Sequence, residues 1–156
     1  MEKLNFSYIF KNSFETFKVF ETIPMKVAGI LIEGHTSSIW QILNHLVIWQ
    51  RFGIEKLSNI NTEIQFDEAQ SWIKEQAPKD VMEWNNKIQE FDQQVAQLKQ
   101  FIQTLNMEDA MLNEKLEIVQ EASIHLSFHL GEIILMARQK NKYPKPSEMK
   151  AFLQVD

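Results

Sequence analysis

The chain contains no cysteine among its 156 residues. This absence excludes thiolate nucleophiles, iron–sulfur clusters, cysteine-ligated zinc sites and a disulfide scaffold. Glycine and proline are also scarce, with four of each. Sheets and barrels need these residues in their turns, and phosphate-binding folds need glycine loops. The shortage therefore favours an all-α fold.

Positive charge is limited, because 16 Lys and Arg face 21 Asp and Glu, which gives a net charge of −5. The only arginines are Arg51 and Arg138. Proteins that bind the nucleic-acid backbone usually present a basic surface, so we expect no nucleic-acid partner. The longest uncharged stretch, 34–50, is too short and too polar to span a bilayer. The first residues do not fit a signal peptide, so we expect a cytoplasmic protein without membrane contact.

Apolar side chains recur at helical spacing in four segments of the chain. The predicted helices cover 6–20, 38–57, 81–105 and 113–140. Ser38 and Gln41 fit a capping box at the start of the second helix. The third begins after a turn at Pro78, and its apolar stripe from Val81 to Leu105 repeats every 3.5 residues on average, as in a left-handed bundle. The sequence therefore predicts a four-helix bundle.

The segments outside these helices complete the predicted architecture, a single domain over 1–156. The connector between the second and third helices, 58–79, is long for a bundle loop, and it is long enough to cross the end of the bundle. We expect a short helix within it, over 67–74 around Trp72. The C-terminal tail, 143–156, begins at a proline-containing stretch that ends the fourth helix, and we expect it to lie on the surface.

The histidines carry the chemical information. His125 and His129 are four residues apart, so a helix places both rings on one face, where they can share a metal ion. His45 lies among apolar residues of the second helix, and a buried imidazole without a partner costs free energy. Bundle cores hold metal sites built from facing helices, and zinc uses three imidazoles in catalytic sites. The alternative is that His45 is a core histidine satisfied by a hydrogen bond and that the spacing of His125 and His129 is a coincidence.

Three further residues near these histidines have possible roles. Glu121 and Glu132 each lie within about one turn of a predicted ligand, and either could hydrogen-bond an imidazole or reach the metal. For Glu121 we favour a position on a solvated helix face. For Glu132 a solvated face and a role beside the metal ligands stay equally open. His35 lies in the loop before the second helix, and we expect it at the surface or at a pocket rim rather than among the ligands.

Two motifs resemble those of the DinB/YfiT-like metalloenzymes. Residues 38–46 resemble the first, a capped helix start followed by an inward His-Leu, and residues 125–133 resemble the second, H-x-x-x-H-x-G-x-I. The resemblance covers nearly the whole chain in length and helix order. It implies a four-helix bundle in which His45, His125 and His129 bind a divalent metal ion, and we expect zinc or nickel. Gly131 would allow close helix packing, and Glu132 stands where the family often has Gln.

The resemblance also implies an activity. The better-understood relatives are transferases and isomerases that use low-molecular-weight thiols such as bacillithiol or mycothiol. We therefore expect a metal-dependent thiol S-transferase with a small thiol cosubstrate and a small electrophilic substrate. Two alternatives remain: a metal-dependent hydrolase, because the same ligands can activate water, and a non-catalytic metal-binding or stress-related interaction bundle. No residue outside the three histidines stands out as a general base.

We also expect a homodimer. The aromatic stripe of the first predicted helix, which includes Phe10 and Phe14, is wider than one bundle seam needs. Large exposed apolar patches usually mark interfaces. The family resemblance favours the same association.

Overall fold

A computed structural model describes residues 6–10, 17–60 and 63–153. Within these ranges all regular secondary structure is helical and no strand occurs, which confirms the all-α bundle. Three long helices form the frame: α2 covers Ile39–Ser58, α3 covers Val81–Thr104 and α4 covers Leu112–Gln139. Two single-turn helices flank them, α1 at Met25–Ala28 and α5 at Met149–Phe152. No helix in the described ranges is both long and apolar enough to cross a membrane.

The local sequence explains where the long helices begin. The Ser38 hydroxyl accepts a hydrogen bond from the Gln41 amide, and the Gln41 side chain accepts one from the Ser38 amide, which confirms the capping box. The Asp80 carboxylate caps α3 in the same way, through the amide of Glu83. Val81 was expected in the buried stripe, but it is 58% exposed, whereas Trp84, three residues later, is buried.

The core lies where α2 packs against both α3 and α4. The buried stripe of α3 starts at Trp84 and continues through Phe91 and Leu98. The buried faces of α2 and α4 add branched aliphatic side chains such as Leu43 and Ile133 to the same core. Each fully buried side chain of this size contributes about 1.5–3 kcal/mol, so this seam provides a rigid scaffold for polar groups placed between the helices.

The first predicted helix can be compared with the structure only at its ends, because 11–16 lie outside the described residues. Ser7–Phe10 and Val19–Glu21 are short 3-10 helices. Between them Phe17 and Lys18 have φ values of 47° and 54°, in the left-handed region that a right-handed helix cannot contain. A helix continuous to Phe20 is therefore wrong at its C-terminal end. Phe14 lies outside the described residues, and the homodimer stays a prediction.

The C-terminal segment is anchored more firmly than the sequence suggested. Tyr143 is buried, and its hydroxyl donates a hydrogen bond of 2.7 Å to the carbonyl of Phe17. The Thr22 hydroxyl donates to the carbonyl of Lys142 at 2.8 Å. The predicted surface tail, 143–156, thus begins with an internal anchor, because Tyr143 has an apolar ring to bury and a hydroxyl to satisfy. Residues 154–156 lie outside the described part of the chain.

The connector after α2 folds back over the start of that helix. Part of its predicted helix forms, as the 3-10 turn Glu68–Ser71. The Gln41 side chain donates to the carbonyl of Ile73 at 3.1 Å, and the Ser38 hydroxyl donates to the carbonyl of Gln76 at 2.6 Å. These bonds hold the connector against α2.

A second contact fixes the connector from the other side. The Gln76 side chain donates to the carbonyl of Gly29 at 2.9 Å. Gly29 also approaches Ala77 so closely that an added Cβ would lie 2.3 Å from the Ala77 Cβ. Residues 71 and 72 are thereby brought against the middle of α2.

Candidate metal centre

The three predicted ligands meet in the core between α2 and α4. His45 comes from α2, and His125 and His129 come from successive turns of α4. Their candidate ligand atoms all lie within 4.8 Å of one another. The Nε2 atoms of His45 and His125 are 3.0 Å apart. This cluster could bind one metal ion, and no other residue in the described ranges joins it.

Hydrogen bonds determine which nitrogen of His45 carries the proton. The Ser71 hydroxyl lies 2.7 Å from Nδ1 of His45 and donates its own proton to the carbonyl of Glu68 at 2.6 Å. Since that proton is already engaged, the Ser71 oxygen accepts from His45, and Nδ1 must carry the hydrogen. Nε2 of His45 is then left with a lone pair directed at the cluster. This is the tautomer that a metal ligand requires.

A carboxylate orients the third histidine. Nδ1 of His129 donates to Glu132 at 3.1 Å, which leaves its Nε2 available for a metal. The other oxygen of Glu132 is 3.7 Å from Nδ1 of His35. Glu132 therefore acts on the cluster through His129, and His35 stands one step further out, beside Glu132. His35 lies outside the cluster, and its exclusion from the ligands stays a prediction.

Aromatic rings enclose the cluster on several sides. Trp72 stacks on the His45 ring with centroids 3.9 Å apart and planes 13° apart. Trp49 lies beside His125 at 4.7 Å, and Phe128 lies edge-on to His129 at 5.0 Å. These rings remove water from one side of each imidazole and hold its plane in position.

Burial keeps two of the imidazoles neutral. Desolvation, followed by the neighbouring His125 and His129, lowers the pKa of His45 from 6.5 to about 3. Desolvation, followed by His129, lowers the pKa of His125 from 6.5 to about 4. Both rings are therefore unprotonated at neutral pH, as metal binding demands. The donor set fits a divalent ion.

Some sequence expectations near the site need correction. Gly131 was expected to allow close helix packing, but it is exposed and an added Cβ would have no atom within 4 Å. Glu121 needs no such correction, because it is exposed, as a solvated helix face implies, and it lines a cleft beside His125. Sequence reasoning missed the role of Ser71. Its place in the predicted connector helix was the only available signal, and nothing in the spacing links it to His45.

A family model described as the DinB superfamily matches residues 3–133 of the chain. The match includes α2, α3 and the part of α4 that carries the histidines. No curated protein and no solved structure matches the chain significantly.

Proposed function

Because the chain belongs to the DinB superfamily, we propose that its histidine cluster holds a catalytic divalent metal ion and that the protein is a thiol S-transferase. The observation that carries the proposal is a set of three imidazoles with no fourth protein ligand among the described residues. Structural metal sites are usually closed by four protein ligands, whereas catalytic sites retain an open position. When bound, a divalent ion would supply Lewis acidity that lowers the pKa of a thiol.

Residues of the chain prepare this site before any substrate arrives. Ser71 holds His45 in the required tautomer, and Glu132 does the same for His129. Trp72 covers one face of His45 and limits the access of water. A fixed, largely buried donor set strengthens electrostatic interactions with the reacting group.

The sulfur must come from outside, because the chain has no cysteine. In the proposed reaction a small thiol loses its proton to solvent, and its sulfur forms a bond to an electrophilic carbon. The bond from that carbon to its leaving group breaks, and the leaving group departs with the electron pair. The three imidazole ligands carry no negative charge of their own, so they do not repel an approaching thiolate.

A conjugation assay tests the proposal. Protein loaded with zinc or nickel is mixed with 1-chloro-2,4-dinitrobenzene and with bacillithiol, mycothiol or glutathione, and thioether formation is followed by absorbance. We expect conjugation above the uncatalysed rate that requires metal, thiol and protein together. The His125→Ala variant should lose it, and His35→Ala, a histidine outside the cluster, should keep it.

Two results would contradict the transferase assignment. Turnover of an ester or amide substrate by the metal-loaded protein without thiol would indicate a hydrolase. No turnover with any thiol, together with a coordination sphere closed by a fourth protein ligand, would indicate a non-catalytic metal-binding bundle.

A further inference from the structure

A narrow cleft opens between α2 and α4 directly beside the histidine cluster. His125 forms part of its wall, so cluster and cleft share a residue. The cavity volume that water can reach is about 30 Å³. That is room for roughly two water molecules or for the head of a slender organic group.

Most of the cleft wall is apolar. Leu46 and Phe52 contribute from α2, and Ile118 and Leu126 contribute from α4. Lys56 and Glu121, one charge of each sign, also line it. An apolar wall with balanced charges favours an uncharged ligand, because a charged one would lose its hydration without gaining a net opposite charge.

Two side chains in this wall have polar atoms without a hydrogen-bond partner among the described residues. Gln50 is only 3% exposed, and both its amide nitrogen and its amide oxygen lack a hydrogen-bond partner among the described residues. The indole nitrogen of the adjacent Trp49, another residue of the cleft wall, is unpaired in the same way. Buried polar groups are nearly always paired, and leaving one unpaired costs about 1–3 kcal/mol. Such a group is therefore expected to pair with something that enters the cleft.

We propose that this cleft binds an uncharged, mainly apolar molecule with a carboxamide group, and that Gln50 pairs with that group. The Gln50 amide offers a donor and an acceptor side by side, and a carboxamide offers the complementary acceptor and donor. Its apolar remainder would lie against the aliphatic and aromatic wall. This inference deepens the proposed function. It rests on that function for one point, that the ligand is the electrophilic substrate held beside His125.

An isosteric pair of probes tests the pairing. Hexanamide and 2-heptanone have the same shape and the same apolar chain, but the ketone has a methyl group where the amide has its NH2. Binding to metal-free, thiol-free protein is followed by NMR through the side-chain amide signals of labelled glutamine. We expect hexanamide to shift the Gln50 signal and to bind about tenfold more tightly than 2-heptanone, a difference of about 1.4 kcal/mol.

Two variants sharpen the experiment. Gln50→Leu keeps the side-chain size, removes the unpaired amide and should abolish the preference for hexanamide. Gln94→Leu is the matched control, because Gln94 is also buried, has an amide oxygen without a partner in the described part of the chain, and does not line the cleft. It should retain the preference.

Three results would overturn the inference. These are equal binding of both probes to the parent, an unchanged preference in Gln50→Leu, and a Gln50 amide that contacts only water and responds to neither probe. Because the measurement needs neither metal nor thiol, its failure is separate from failure of the conjugation assay. If the protein recognised hexanamide but had no transferase activity, the cleft assignment would stand and the proposed reaction would be rejected.

Discussion

Replacement of Ser71 by alanine tests whether the connector prepares the metal centre. Ser71 is fully buried, and its hydroxyl joins Nδ1 of His45 to the carbonyl of Glu68. In Ser71→Ala the Nδ1 hydrogen would be buried without an acceptor, which costs about 1–3 kcal/mol of folding free energy. The His45 ring would also lose the bond that fixes its tautomer and orientation. Loss of such a partner typically weakens metal binding about 10–100-fold.

Two measurements separate these effects. Urea unfolding of the metal-free protein reports the loss of stability, and zinc competition with a chelator reports the loss of affinity. Ser58→Ala is the matched control, because the Ser58 hydroxyl also donates to a backbone carbonyl, that of Ile54, but lies at the exposed end of α2. Zinc affinity of Ser71→Ala within twofold of the parent would refute the reasoning, even if the variant were less stable.

Three further predictions concern the surroundings of the cluster. Gly29→Ala should lower the free energy of unfolding by about 1–3 kcal/mol and weaken zinc binding, because the new Cβ would lie 2.9 Å from the backbone Cα of Ala77. A urea unfolding curve that matches the parent would contradict this. Glu132→Ala should weaken zinc binding about 10–100-fold, whereas Glu132→Gln, which still accepts from His129, should stay within a few-fold by chelator competition. Metal-free protein should lose stability as pH falls from 7 to 4, because the unfolded chain protonates His125 near pH 6.5 and the folded chain only near a pKa of about 4. His125→Asn should therefore lose less stability than the parent over the same range, and an equal loss would be contrary to the shift.

The long helices could be predicted from sequence because each bears one continuous apolar stripe. The start of α2 was also predictable, since the capping box of Ser38 and Gln41 is a local signal. The break at Phe17 and Lys18 was not, because the aromatic spacing there matches a helix while the backbone turns left-handed. Periodicity describes which side chains share a face, and it does not report where tertiary packing interrupts a helix.

The candidate site also has a part that the sequence predicts and a part that it does not. His125 and His129 share a face through their spacing alone, and the inward position of His45 follows from its apolar neighbours. Ser71 and Gln50 depend on long-range packing, one through the folded connector and the other through the gap between α2 and α4. A serine in a polar loop and a glutamine in a helix are ordinary in sequence. Only the three-dimensional arrangement shows that Ser71 holds His45 and that Gln50, in the wall of a cleft, finds no partner within the described ranges.

Metal stoichiometry tests the central claim most directly. Purified protein is dialysed against zinc or nickel, and the bound metal per chain is measured by elemental analysis at pH 7. We predict one ion per chain for the parent and none for the variant in which His45, His125 and His129 are all replaced by alanine. A folded triple variant that binds metal as tightly as the parent would contradict the account.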